Sequence, residues 1–253
     1  MEGKGIPLDS SNLIFQAVKA LLSKYSIAEE RPLKVINHIG VPVGKGLGSS
    51  ATAVVAGLLA TNKIYGLGLD TADLVCAGLQ IEPHPDNIAP CLAGGLIICY
   101  EDGCCSYKKI EIEKDYKVML LIPDFHINTH EARKLIPDKI PLKDAIFNIS
   151  NFALLIKSLQ EADLDGAAVF IRDKVHQPYR RGLYKKSMQL VDVLNEKYKI
   201  PSAISGSGPS VFSIMDKSRY EKYFEEIKIN LLKEYSDFKI IITGTNNKGS
   251  WIE

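Results

Sequence analysis

The sequence predicts a mixed fold of helices and strands in two subdomains, with an anion-handling loop in its first quarter. Three observations predict it. A glycine-rich stretch, Val43-Gly44-Lys45-Gly46-Leu47-Gly48-Ser49-Ser50-Ala51, runs directly into an apolar, alanine-rich segment from Ala51 to Ala60. Short apolar runs of strand type alternate with longer runs of helical period along the chain. A length of 253 residues is enough for a sizeable core and suits two subdomains.

The elements follow in order. A helix capped at Asp9 or Ser10 is expected to about Tyr25, with Leu13, Ala17, Val18, Leu21 and Leu22 on its buried side. Leu33 to Ile39 reads as a strand. Helices are expected from Ser50 onward and near Thr71 to Leu79. Leu96 to Tyr100 and Tyr107 to Ile112 read as strands, with Asp102-Gly103 as a hairpin-type turn. Lys117 to Ile122 is a strand that opens the second half. Helices then run near Leu142 to Leu159, Leu164 to Asp173 and Leu183 to Tyr198. Val211 to Met215 and Lys239 to Thr243 are strands flanking a charged helix from about Ser218 to Leu232. No repeat or low-complexity tract interrupts the pattern.

The glycine loop carries the first chemistry. Residues without a Cβ let the backbone bend sharply and approach a ligand closely. The first turn of a helix has N–H groups without intrahelical partners and a positive dipole end. A glycine loop feeding such an end is an anion cradle, most often for phosphate. Serine hydroxyls at that point suit a helix start and can also hold Mg²⁺. The bland alternative is a tight turn between a strand and a buried helix. The Gly-Lys-Ser/Thr phosphate loop is absent, because Lys45 lies inside the loop. A dinucleotide fingerprint is a nearer rival, with Asp70 at about the right distance for a ribose. Pro42 and the glycine spacing speak against it, and a nucleoside triphosphate is preferred.

The second dense stretch is Ile81-Glu82-Pro83-His84-Pro85-Asp86-Asn87-Ile88-Ala89-Pro90. Two carboxylates, an imidazole and an amide stand among three prolines. Prolines fix φ and block helix continuation, so the stretch is a non-helical loop or a loop running into a short helix. A carboxylate such as Glu82 suits a Mg²⁺–ATP complex, because Mg²⁺ takes a few protein oxygens and leaves the rest to phosphate and water. Singly, Asp86 reads as a cap, Asn87 as an Asx turn and His84 as a surface residue. Together in ten residues they read as a site.

Composition is that of a soluble enzyme. The formal net charge of +1 gives no reason to expect nucleic acid or an anionic membrane as partner. No apolar run is long enough to span a bilayer, and the start lacks a signal peptide. Five cysteines in no metal or disulfide pattern read as reduced thiols, and the expected location is cytoplasmic.

Five stretches resemble the homoserine kinase family of the GHMP small-molecule kinases. Pro42 to Ala51 is similar to the superfamily's phosphate-binding motif. Glu82 to Pro90 is similar to the Glu-Gly-His-Pro-Asp-Asn-Val-Ala-Pro of many family members. Asn128-Thr129-His130-Glu131-Ala132-Arg133, His176-Gln177-Pro178-Tyr179-Arg180 and Ile204-Ser205-Gly206-Ser207-Gly208-Pro209-Ser210 follow in family order. The first and last mark the superfamily, and the middle three point to the homoserine kinase branch.

The resemblance implies an α+β, GHMP kinase-like two-domain fold. A phosphate-binding domain would cover residues 1–115 and a ferredoxin-like domain 116–253. It implies ATP-dependent phosphorylation of the side-chain hydroxyl of L-homoserine, on the route to threonine. Pro42, Gly44, Lys45, Gly46, Leu47, Gly48, Ser49 and Ser50 would bind ATP, with Asn12 near the adenine or acting as a helix cap. Ser50 and Glu82 would hold Mg²⁺. Homoserine is a zwitterion, so its carboxylate needs a cation and its ammonium an acceptor. Arg133 and Arg180 are the arginine candidates, since an arginine fork grips a carboxylate with two bonds. Asp86 would face the ammonium or the hydroxyl, with His84, Asn87 and Thr129 beside it. Catalysis would rest on Asp86, Arg133 and Glu82. Arg181 is the decoy. A homodimer is also allowed for.

Two departures accompany the resemblance. Pro83 stands where many members have glycine. Family members also carry an N-terminal Ala-Thr-Ser-Ala-Asn-Leu-Gly-like segment, and Met1 to Pro7 looks like family sequence from just before the first helix. The readings kept beside the first are another GHMP kinase, acting on mevalonate, shikimate or a sugar, and a nucleotide-binding remnant without catalysis.

Overall fold

The computed structural model describes residues 6–28, 31–102, 104–112, 115–125, 132 and 134–253, with backbone alone at 101, 102, 104, 105, 231 and 232. Two compact units emerge. The first comprises residues 1–42, 48–111 and 246–253, and the second 43–47 and 112–245.

The first unit is helical with one hairpin. Its elements are α1 (Leu13–Lys24), α2 (Ser49–Tyr65), α3 (Thr71–Gly78), α4 (Pro85–Ala93), β1 (Leu96–Asp102) and β2 (Cys104–Ile110). The strands pair antiparallel, with Leu96 opposite Ile110. The core is built from Ala17 and Leu21 of α1, Val54 and Leu58 of α2, Val75 of α3 and Ile88 of α4. The small residues of α2 let α1 come close. A Cβ on Gly57 would meet the carbonyl of Ile14 and stand 2.7 Å from the Cβ of Ala17.

Three expectations are corrected here, and a rival already set aside loses its carboxylate. The cap of α1 is Asn12, whose Oδ1 accepts from Ile14 N at 2.9 Å. Asp9 instead accepts from Ser11 N and Oγ, one turn too early to cap. Asp70 caps α3 in a reciprocal capping box with Asp73, which uses the carboxylate that a dinucleotide reading wanted. Residues 31–40 carry no regular secondary structure, although Leu33 to Ile39 was expected as a strand. A strand needs a neighbour to complete its ladder; among the described residues none pairs with this segment, and Ile36 lies 72% exposed. Finally, Cys76 is disulfide-bonded, while Cys91 and Cys99 are free thiols. Spacing along the chain did not signal that bond. The expected turn at Asp102-Gly103 lies partly outside the described residues.

The second unit layers helices on a four-stranded antiparallel sheet. Its elements are β3 (Lys117–Pro123), α5 (Leu142–Gln160), α6 (Leu164–Phe170), α7 (Gln177–Arg180), α8 (Lys185–Glu196), β4 (Ser202–Ile204), β5 (Val211–Met215), α9 (Lys217–Glu234) and β6 (Phe238–Gly244). The sheet order is β4-β5-β3-β6. Met119 and Leu121 of β3 pack with Leu190 and Leu194 of α8 and Ile227 of α9. This is the α+β class that was expected.

Candidate active site

The first unit holds the start of α2 and the proline-bounded stretch. Gly48 is the residue before α2, with φ 75 and ψ 24, a left-handed conformation open to glycine at little cost. It brings no side-chain cap, and no acidic residue stands in the first turn. Thr52 N and Oγ1 both reach back to Gly48 O at 3.0 Å. The N–H groups of Ser49, Ser50 and Ala51 precede the first intrahelical bond, so they are the donors that a helix start offers to an anion. A Cβ on Gly48 would stand 3.6 Å from Asn87 Oδ1. The two densest stretches of the sequence therefore meet at this point.

Pro85 opens α4, so Asp86 and Asn87 fall in its first turn and Asp86 lies exposed there. A carboxylate at that end is favoured by the helix dipole. Glu82 and His84 stand just before it. Their side chains are only 15% and 23% exposed, and Glu82 Oε1 contacts His84 Nδ1. His84 thus orients the Glu82 carboxylate. Asn12 is occupied as a cap, and its Nδ2 also donates to Pro7 O at 2.7 Å. The structure gives it the capping role, one of the two considered for it.

In the second unit, the loop residues Val43–Leu47 lie with the C-terminal glycine motif. Gly46 has φ 75, and a Cβ on it would run into Ser205 O and stand 2.7 Å from Gly208 O. Ser205 Oγ donates to Gly46 O at 2.7 Å, and Ser210 N to Lys45 O at 3.3 Å. Lys45 departs from expectation. It is buried, and its Nζ donates to Pro123 O at 2.8 Å and Phe125 O at 2.7 Å. Burial pushes the ammonium pKa down, partly countered by Asp124. Its long side chain ties the loop to the end of β3, and its charge is turned to carbonyls. Pro42 and Leu47 are half-buried and Gly44 is exposed.

Arg180 is buried at the end of α7. Its Nε donates to Ala132 O at 2.9 Å and one Nη approaches Gly206 O at 3.5 Å. It thus holds the backbone of the third motif. Beside it the Tyr184 hydroxyl is buried and meets no partner at hydrogen-bonding geometry. Burial raises that phenol's pKa, and the Arg180 charge opposes the rise. Arg181 makes a two-pronged pair with Asp192, its side chain half exposed, as a surface arginine does. Thr129 and Arg133 lie outside the described residues.

Asp173 is a residue the sequence reading missed. Its carboxylate accepts from Val175 N at 2.7 Å, His176 N at 2.9 Å and Asn148 Nδ2 at 2.8 Å. Burial works to raise its pKa, but the donors around it, His176 and Gln177 foremost, hold it well below the usual carboxylate range. It fixes the turn before α7, and Gln177 Oε1 then accepts from Ile204 N at 3.1 Å. An Asp shortly before a Pro in the first helical turn was the available signal.

The donor set fits a nucleoside triphosphate with Mg²⁺. Among the described residues no group of three or more His, Cys, Asp or Glu side chains could hold a metal alone. Mg²⁺ bound chiefly by phosphate and water needs no such cluster. No described helix is long and apolar enough to cross a membrane.

Comparison with known proteins agrees. Residues 12–95 match the GHMP kinases N terminal domain and residues 148–231 the GHMP kinases C terminal family. The homoserine kinase of Aquifex aeolicus is 33% identical over 97% of this chain and 82% of its own length. That of Moorella thermoacetica is 37% identical over 84% of this chain and 72% of its own length. The crystal structure of homoserine kinase from Cytophaga hutchinsonii superposes with a TM-score of 0.81 at 22% identity, covering 98% of this chain and 81% of that one. The crystal structure of L. major mevalonate kinase in complex with R-mevalonate matches with a TM-score of 0.69 at 15% identity over 95% of this chain and 78% of that one, a likeness of fold alone.

Proposed function

Because this chain belongs to the homoserine kinase family of the GHMP kinases, we propose that it transfers the γ-phosphoryl group of ATP to the side-chain hydroxyl of L-homoserine, giving O-phospho-L-homoserine and ADP. The observation that carries the nucleotide half is the start of α2, which has no capping side chain and has Asn87 against Gly48. Its first-turn N–H groups take the phosphates. Ser50 and Glu82 would hold Mg²⁺, which when bound offsets phosphate charge during transfer. His84 keeps the Glu82 carboxylate oriented.

On the acceptor side, the homoserine hydroxyl oxygen attacks the γ-phosphorus as the bond to ADP breaks, and the hydroxyl proton passes to the Asp86 carboxylate or to a phosphate oxygen. Such transfer rests on positioning and charge more than on a strong base. We assign Asp86 to the hydroxyl or ammonium of homoserine, with Asn87 and Thr129 beside it. Arg133 takes the carboxylate. Arg180 supports it by holding the Ala132 carbonyl. The product lies on the route to threonine, the working location is the cytoplasm, and the working form is a homodimer.

The test is ADP release by the purified chain with ATP, Mg²⁺ and a panel of homoserine, mevalonate, shikimate and galactose. Turnover confined to homoserine is expected, and Glu82→Gln lowers it by about two powers of ten, as loss of a metal ligand does. Turnover on mevalonate instead, or ATP binding with no turnover on any acceptor, overturns the reading.

A further inference from the structure

Tyr184 breaks two local rules at once. It is the residue before α8, where a side chain that accepts from the first-turn N–H groups is favoured, and it makes no such bond. Its side chain is also buried, at 1% exposure, and the hydroxyl meets no partner. A buried hydroxyl left unfilled costs stability, and phenylalanine would occupy the same space without that cost. Side chains that break local rules with no visible gain in the fold mark places where function sets the residue.

The surroundings of the ring indicate that function. A Cβ on Gly208 would stand 2.9 Å from Tyr184 Cε1 and 3.1 Å from Cζ, the carbon that bears the hydroxyl. The hydroxyl end of the ring therefore lies against the C-terminal glycine motif. From the same turn of α8, Ser187 Oγ donates to Pro209 O at 2.7 Å. The hydroxyl also stands beside the Arg180 guanidinium, whose charge works against the rise that burial causes in the phenol's pKa. Arg180 is itself only partly used. It is 7% exposed, and no carboxylate among the described residues pairs with it. Its Nε is filled by Ala132 O at 2.9 Å, but the approach of Nη to Gly206 O is 3.5 Å, too long for a good bond. A phenol oxygen accepts as well as donates. A charged donor in want of an acceptor thus stands next to a buried oxygen in want of a partner.

We propose that Tyr184 is a positioning residue for the acceptor substrate: when homoserine is bound, its phenol oxygen accepts from Arg180 Nη in place of Gly206 O. That bond fixes the guanidinium and, through it, the Ala132 carbonyl and the arginine that follows in the chain. The inference rests on the assignment of Arg133 to the homoserine carboxylate. The phenol stays protonated throughout, and only hydrogen bonds are exchanged.

Tyr184→Phe keeps the ring against Gly208 and removes the oxygen alone. Thermal unfolding without ligand should show the variant as stable as wild type or more so, because an unfilled hydroxyl is gone. The KM for homoserine should rise about tenfold or more, the scale of one charge-assisted bond, with kcat and the KM for ATP within about twofold of wild type. In an Arg180→Lys background the same substitution should change the KM for homoserine by less than about twofold, because the fork it holds is already lost. A lower melting temperature, an unchanged KM for homoserine, a fall in kcat alone, or an equal change in both backgrounds overturns the inference. Calorimetric titration of the wild-type chain with homoserine keeps the two readings apart. Wild type that binds and turns over homoserine, with Tyr184→Phe indistinguishable from it, overturns the role of Tyr184 alone. Wild type that neither binds nor turns over homoserine overturns the proposed function and this inference with it.

Discussion

Lys45 lies in the glycine loop and Ser50 just past it in the first turn of α2, and the structure uses them in opposite ways. Lys45 is buried with its ammonium on the carbonyls of Pro123 and Phe125, and its neighbour Gly46 is wedged against Ser205 and Gly208. Every strong group in that half of the loop is turned to protein. Ser50 is half-buried in the first turn of an uncapped helix, where backbone donors face outward from the ladder. A glycine-rich loop is therefore not a uniform cradle. One part is a fixture that sets the shape, and the other part is the one we assign to the anion. The only cation in the loop belongs to the fixture.

The largest expected effect tests the two glycines against each other. Gly46→Ala must place a Cβ on backbone atoms that cannot give way, in a left-handed conformation as well. It should cost about 3 kcal/mol or more. Gly48→Ala carries the same φ of 75 but meets nothing nearer than Asn87 Oδ1 at 3.6 Å, so about 1 kcal/mol is expected. Thermal unfolding of the pair decides it. Equal losses would erase the distinction between the two halves.

A smaller effect sharpens the role of Lys45. Lys45→Met keeps the length of the side chain and leaves two carbonyls without their donor, at about 1–3 kcal/mol of stability. Loosening the loop should raise the apparent KM for ATP about tenfold, with that for homoserine little changed. A collapse of kcat at unchanged stability would instead place the ammonium on the phosphates.

The smallest effect lies away from the loop, at an acidic residue that spends its charge on backbone N–H groups. Asp173 has a folded-state pKa below its ordinary 3.8. Its stabilisation is therefore full above that value and drains away as pH falls through the folded-state pKa. Wild type should lose stability more steeply than Asp173→Asn below about pH 4, converging on it in strong acid. Parallel curves from pH 6 to pH 2 would show that the carboxylate is not held as the geometry indicates.

Much of this was readable from sequence where the signal is local. The run into α2 and the apolar spacing of α1 follow from glycine chemistry and helical period. Ala17, Val18, Leu21 and Leu22 are buried as that period requires, with Ile14 taking the place given to Leu13. The mixture of helices and strands was readable for the same reason, and its α+β class came from the resemblance to the GHMP kinases. What failed was non-local. Leu33 to Ile39 has strand composition, but a strand is a relation between two segments. Lys45 sits where a phosphate lysine could sit, and only tertiary packing turns its side chain to β3. Asp173 lies in a stretch expected to be the end of α6, and the helix stops at Phe170 because the carboxylate serves the following turn.

The last residues of the chain fold with the first unit. Gly95 N donates to Asn246 O at 2.8 Å, Ser250 Oγ to Cys91 O at 2.8 Å, and Gly249 packs against the Leu92 carbonyl. Chains emerge from the ribosome N-terminus first, at about 5–20 residues per second. The helices of the first unit are thus made early, yet the strip that closes α4 and the hairpin is synthesised after the whole second unit. A nascent chain must hold that edge open in the meantime. A premature stop just before Asn246 would spare the second unit and wound the first, although residues 1–42 and 48–111 of the first had long been read.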